Sequence, residues 1–420
     1  MGSTHRYNQS LAYLAWGTAA FFYFYQYIIR IIPGIVGDDI KRDLLINAEQ
    51  FGLVGSLYVY AYALVQIPLG LMLDKFGIKK VIIASIITCV IGCFMMSAVD
   101  NIELLYYARF ITGLGSGAAF LVSIKVVTDL LPEGKRGLLI GATLTIGTLS
   151  AIIFSRPVAI VSRYFGWTDT CFYIAMAGFV VLAAAVFLIP NFEGIKSEKN
   201  AMIDEKSSNS FIKDFWSVLT NKYVLFYALM SIGAYTPTTV LSDLWGPSFL
   251  KVKFSLENTQ AASINSILFV GLAVGSLFIP WFFERFRKID KGIAICSVVM
   301  FIAYVTVICL DFYSLFFLVF CLFIIGFSCG SEMLCFTGVV RHIKPKNSGL
   351  AIGVVNTFNM LGGGLLQHAV GIMIDNNWDG EIDSAGMRVY SLDNYSNSLV
   401  VVAFMICLTF IMALYLRDRK

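Results

Sequence analysis

The sequence predicts an all-α membrane protein with twelve transmembrane helices in two pseudo-symmetric six-helix bundles. Three observations carry this. Of the 420 residues, 58% are hydrophobic and only 14% are charged, and the mean hydropathy is +0.77, outside the habit of soluble domains. Continuously apolar runs of about 20 residues recur, each long enough at about 1.5 Å per residue to cross a hydrocarbon core of about 30 Å. Membrane strands would instead alternate in polarity over about ten residues. Finally, the second half of the chain repeats short patterns of the first at a nearly constant offset.

The first span, 11–36, is aromatic and places Tyr23, Gln26, Tyr27 and Arg30 on one helical face, at spacings of three, four and seven. The second, 51–73, carries Tyr58, Tyr62 and Gln66 at i, i+4 spacing. Residues 70–80, GLMLDKFGIKK, form a charged turn hinged at Gly70 and Gly77, with Asp74 suited to a helix N-terminus. The third span is 80–99; the fourth, 105–130, holds Arg109 and the run GLGSG at 113–117, which inside a helix serves close packing. The fifth and sixth are 138–160 and 168–190.

The polar segment 191–222 reads as a linker between bundles at 1–190 and 223–420, with a short interfacial helix around Phe211–Leu219. Asp243 lies in the seventh span, 223–250; the eighth and ninth are 260–283 and 291–310. Glu332 lies in the tenth, 313–339. The eleventh, 348–375, carries Asn356, Asn359 and Gln367 on roughly one face, with His368 beside them, and 396–416 is the twelfth.

The halves echo each other. LDKF at 73–76 matches FERF at 283–286, GLLIG at 137–141 matches GLAIG at 349–353, and Gly113 and Gly117 match Gly326 and Gly330, at offsets of 210, 212 and 213. A duplicated six-helix unit is the mark of a carrier whose halves rock about a midplane site. With the N-terminus inside, inner segments hold 21 of the 31 Lys and Arg and outer loops hold 6, among them Lys41 and Arg42, which places both termini in the cytoplasm. The net charge of +4 is therefore topology rather than a nucleic-acid footprint. The nine cysteines read as buried small hydrophobes. No cleavable signal precedes the first span. Without a GxxxxGK[ST] loop, a HExxH motif or a nucleophile–base arrangement, no ATP, metal, cofactor or enzymatic activity is expected.

Gly70, Met72, Asp74, Lys75, Gly77, Lys79 and Lys80 together resemble the loop 2–3 signature of the major facilitator superfamily. A degenerate second copy stands at Glu284-Arg285-Phe286, and RFITG, Arg109 to Gly113, resembles the RxxxG pattern of its fourth helix. The resemblance covers the whole chain. It implies the twelve-helix carrier fold, a monomer, and a gating role for Asp74, which in that family latches the halves together on the cytoplasmic side in the outward-open state. Gly70, Lys75, Gly77, Lys79 and Arg109 join it as gating residues by the same resemblance. The proline-glycine pattern of drug/proton antiporters is missing from the fifth span, where Pro157 comes only near the outer end.

Ionisable side chains within spans cost about 2.5–3.5 kcal/mol on insertion scales. Arg30, Arg109, Lys125, Arg156, Asp129, Asp243 and Glu332 therefore need reasons. Lys125, Asp129 and Arg156 lie near span ends and suit anchoring. Arg30 and Asp243 fall at nearly equivalent depths of the two halves, either as a structural ion pair or as two poles of a site, Arg30 for a carboxylate or phosphate and Asp243 for a cationic group or a proton. Glu332 is the next candidate for proton coupling. Tyr23, Gln26, Tyr27, Tyr62, Gln66, Asn356, Asn359 and Gln367 would complete the substrate-binding wall, since buried amides need partners. The two poles suit a zwitterion, an amino acid or short peptide, moved with protons across a bacterial inner membrane. An arginine at this depth also resembles that of the superfamily's organic-anion and phosphate-ester carriers, although Ile29 stands where an acidic residue commonly precedes it. An organic anion or sugar phosphate is therefore the alternative, and a non-transporting membrane sensor of the same fold a further one.

Overall fold

The computed structural model describes residues 9–190, 207–286, 288–311, 314–344, 347–384 and 386–417. Twelve long helices follow in order: α1 Gln9–Leu44, α2 Ala48–Phe76, α3 Ile78–Ser97, α4 Ile102–Leu130, α5 Glu133–Phe165 and α6 Trp167–Leu188. After a short connecting helix, Ser207–Leu219, come α7 Lys222–Phe254, α8 Asn258–Arg285, α9 Ile289–Cys309, α10 Leu315–Val340, α11 Ser348–Asn376 and α12 Leu392–Arg417. Eleven of the helices are long and apolar enough to cross a membrane, and the 29-residue α2 runs among them. Among the described residues the only pairing of extended backbone is the isolated bridge between Ile382 and Arg388.

Local chemistry sets several of the helix ends. Asn47 caps α2 with a reciprocal bond to Gln50, and Asn101, Asn221 and Ser314 cap α4, α7 and α10, which satisfies amides that have no partner within the helix. Gly77 and Gly166, at φ +81° and +88°, turn the chain from α2 into α3 and from α5 into α6.

Helix α1 departs from expectation. It runs on past 36, kinking at Val36 (φ −106°, ψ 18°) just after Pro33. The residues assigned to an outer loop, Lys41 and Arg42 included, are helical. Their charges are met by Lys41–Asp38 and Arg42–Asp39 pairs, both at 2.9 Å, at the spacing one helical turn provides. Asp74 also departs from expectation: it lies in the last turn of α2, not at the start of α3, and its side chain is outside the described residues. Most of the linker, 191–206, lies outside them as well; the connecting helix begins at Ser207 rather than near Phe211.

The internal repeat is visible in the packing. A Cβ on Gly113 of α4 would collide with the carbonyl oxygen of Tyr58 in α2. A Cβ on Gly326 of α10 would collide with that of Leu268 in α8. Glycine therefore lets the equivalent helix pair in each half approach backbone to backbone. One large core runs through both halves, and a second fills the base of the C-terminal half around Tyr227, Ile293, Leu334 and Val355.

The side on which α1 begins and α12 ends is the terminal side. On the opposite, far side the halves are tied together by Asp38–Lys251 at 2.7 Å, Asn258 Nδ2 to Ile35 O at 3.1 Å, and the amides of Ala48 and Glu49 on Tyr390 and Asp375. On the terminal side, Cβ atoms added at Gly70 of α2 or at Gly349 and Gly353 of α11 would meet nothing within 4 Å. The polar ties between the halves thus gather on the far side, while α2 and α11 leave open space at these glycines on the terminal side.

Candidate functional site

At the centre, α1 and α7 cross and exchange charge. Arg30 donates from Nε and Nη2 to a single oxygen, Oδ2 of Asp243, at 2.8 and 2.6 Å. Both side chains are buried, at 7% and 2% exposure. The crossing is tight because α1 offers glycine there: a Cβ on Gly34 would lie 2.6 Å from the Asp243 carbonyl oxygen. Of the five N–H groups of a guanidinium, two are spent on Oδ2, while Asp243 Oδ1 is buried without a partner. The pair joins the halves and is incompletely satisfied.

Aromatic side chains surround it. The guanidinium lies 5.5 Å from the Tyr27 ring centre and 5.8 Å from that of Tyr235, positions at which ring quadrupoles favour a cation. Tyr23 packs edge-on to Tyr27 at 5.3 Å, and Tyr58 donates to Gln26 Oε1 at 2.7 Å. Tyr62 is buried nearby, stacked on Tyr58. On the other wall Glu332 of α10 accepts a short hydrogen bond from Asn359 of α11.

Other expected site residues lie elsewhere. Gln66 donates to the carbonyl of Gly117, 3.3 Å away, across the α2–α4 contact. Gln367 donates to the carbonyl of Thr239 in α7 at 2.7 Å and is 2% exposed. Asn356 is half-buried, three residues from Asn359. Arg109 is 1% exposed; it donates to the carbonyls of Ile29 and Val54 and stacks on Tyr58 with 4.6 Å to the ring centre. It thus fastens α4 to α1 and α2, away from the turn that holds Gly70, Lys75, Gly77 and Lys79. In that turn Lys75 is exposed and lies 5.3 Å from the Phe76 ring centre. Lys125 and Asp129 pair with each other at 3.0 Å.

Sequence reasoning missed the far-side clasp. Asp38 accepts from Lys41, Lys251 and Ser248, and Asp375 from Glu49 N, Tyr390 and Arg388. Arg163 reaches Glu257 at 3.2 Å, beside a cleft of about 540 Å³ lined by Asp39, Arg42, Asp43, Trp167 and Asn258. The available signal was the acidic-basic run GDDIKRD at 37–43, whose i, i+3 spacing suits a helix rather than a loop. Tyr235 of α7, which faces the Arg30 guanidinium, was also missed.

Comparison with known proteins fits this architecture. The chain is 24% identical over 388 residues to the probable galactarate/D-glucarate transporter GudP of Escherichia coli (strain K12), covering 83% of this chain and 84% of that one. It is 30% identical over 168 residues to the probable sulfoacetate transporter SauU of Cupriavidus necator, which is 40% of this chain and only 37% of that relative's length. Among solved structures, a bacterial homologue of the human lysosomal transporter Spinster, inward-facing and unoccupied, superposes with a TM-score of 0.74 at 15% identity, covering 98% of this chain and 97% of that one. The nucleoside transporter NupG gives 0.71 at 16% identity, covering 97% of this chain and 100% of that one. These two show the shared fold. The sequence model described as Major Facilitator Superfamily matches residues 14–367 and 242–420, and the chain belongs to that family.

Proposed function

We propose that this protein is a secondary carrier that moves a small organic anion, a sugar acid or a related carboxylate, by alternating access and together with protons. The observation that carries the reading is the buried Arg30–Asp243 pair, shared between the two halves and left with an unpartnered carboxylate oxygen. An arginine held by one carboxylate can be handed to another. When Asp243 takes a proton, its hold on Arg30 weakens and the planar fork becomes available to a substrate carboxylate. Tyr23, Tyr27, Tyr62, Tyr235, Gln26 and Asn356 would line the substrate, and Glu332, held by Asn359, would be the second proton carrier.

Of the substrate classes left open by the sequence, the organic anion is the better supported. Asp243, one acidic pole that a zwitterion's ammonium could use, is already occupied by Arg30, and relatives covering most of the chain are named for galactarate and D-glucarate. In the orientation favoured by the Lys and Arg distribution the terminal side would face the cytoplasm, and the far-side bonds between the halves support reading this arrangement as the inward-facing one. The loop carrying Asp74 would then be the latch that closes in the opposite state, as it does in the family.

The test is thermal stabilisation of purified protein by D-glucarate, galactarate, sulfoacetate, dialanine and glucose. A ligand at 100 times its Kd adds about 2.7 kcal/mol. Shifts are expected from the sugar acids and should vanish in Arg30→Ala. Shifts from dialanine alone, or shifts that persist in Arg30→Ala, would overturn the reading.

A further inference from the structure

Helix α7 changes register in its middle. Thr238–Trp245 is a π-helix set between the α-helical segments Lys222–Pro237 and Gly246–Phe254, and the Gly246 amide donates to Leu241 O, five residues back. A π turn absorbs one residue more than an α turn and weakens the regular backbone ladder. Two side-chain amides from neighbouring helices bond to carbonyls of this turn. Gln367 Nε2 of α11 donates to Thr239 O at 2.7 Å, and Asn265 Nδ2 of α8 donates to Ser242 O at 3.0 Å. Trp245 closes the brace, donating from Nε1 to the backbone carbonyl of Gln367 at 3.0 Å.

The brace has no slack. Gln367 and Asn265 are 2% and 4% exposed, and their side-chain oxygens are buried without partners, a cost that simple packing would avoid. A Cβ on Gly246 would collide with both Asn265 Oδ1 and Leu241 O. The amides are held against the π turn while their own oxygens go unpartnered.

The register decides what faces Arg30. Tyr235 and Asp243, eight residues apart, both reach its guanidinium. In an unbroken α-helix at about 100° per residue they would point about 80° apart. With one residue absorbed by the π turn they count as seven, and point within about 20° of the same direction. We propose that Gln367 and Asn265 are positioning residues: their amides hold α7 in the π register, and that register aims Asp243, together with Tyr235, at Arg30. Gln367, expected from the sequence to touch substrate, acts here through α7.

The experiment is a double-mutant cycle on the full-length protein in detergent, read as the thermal unfolding midpoint. The variants are Gln367→Met, Asp243→Asn and the two combined. The bonding partners of Gln367 and Asp243, Thr239 O and Arg30, are different, and the cycle isolates the coupling between the two sites. The register reading predicts that the drop caused by Gln367→Met shrinks to less than half in the Asp243→Asn background. An equal drop in both backgrounds would overturn it. Asn265→Leu, which acts on the other side of the same turn, goes through the same cycle, so a variant that fails to fold leaves a second test with the same two outcomes. A binding arm rests on the proposed function: the Kd of D-glucarate should rise at least tenfold in Gln367→Met. Because the cycle needs no ligand, failure of D-glucarate to bind wild-type protein would count against the substrate assignment alone. Binding to wild type that Gln367→Met leaves unchanged would count against the register proposal.

Discussion

Arg30 and Asp243 stabilise each other only as a pair, because each is a charge withdrawn from water. Removing one member leaves the other buried and uncompensated, which costs about 3–5 kcal/mol, whereas replacing both with apolar groups of similar volume is often neutral. Asp243→Asn should therefore lower the unfolding midpoint markedly, and Arg30→Leu/Asp243→Leu should recover most of the loss. Calorimetry checks this directly; a double variant as unstable as the single would show that the site depends on more than charge balance. Arg30→Lys keeps the charge and loses the planar fork, so D-glucarate affinity should fall more than tenfold by titration calorimetry. Glu332 accepts from Asn359 and is the second proton carrier of the proposed cycle. Glu332→Gln should retain exchange of D-glucarate between the two sides of a liposome yet lose accumulation driven by a pH gradient, and loss of both would argue for a structural role.

At the scale of elements, the two halves use glycine in the same way at the same joint. Gly113→Ala and Gly326→Ala each press a methyl group against a backbone carbonyl, and each should cost about 1–3 kcal/mol, the usual range for overpacking. Denaturation of the purified variants measures it. The sequence announced this joint through the constant offset between Gly113 and Gly326, and it announced the spans through hydropathy alone, since a helix in lipid must be apolar along its length. The depth of Arg30 and Asp243 was legible for the same reason: a charge within a span stands out.

The direct pairing of those charges was left open, because depth fixes height in the membrane and says nothing of azimuth. The far end of α1 was misread because the run at 37–43 ends the hydropathy signal while the helix continues, its charges cancelled in i, i+3 pairs. The π turn in α7 was not legible, since adding one residue changes neither composition nor apolar length. For the same reason Gln367 and Asn265 looked like a substrate contact and an unremarked polar residue until their partners in α7 were known.

For the whole molecule, the far-side clasp would, in the proposed alternating-access cycle, hold the halves together in one of its two states. Asp38 accepts from Lys41, Lys251 and Ser248, so Asp38→Ala removes three contacts, two of them across the halves. Spin labels at the exposed positions Tyr164 and Val252 should then report a longer-distance population, absent or minor in wild type. An unchanged distance distribution would place the closure in apolar packing instead. The alternating-access account makes the stability of this clasp a term in the transport cycle, since a ligand or mutation shifts the two states only by its differential affinity for them.

The most direct test of the central claim is counterflow. Proteoliposomes loaded with unlabelled D-glucarate are diluted into a trace of the labelled compound, and uptake is followed with wild-type, Arg30→Ala and Asp74→Asn protein. The account predicts a transient overshoot with wild type and none with either variant, while Asp74→Asn still binds D-glucarate. An overshoot that survives Arg30→Ala would contradict it.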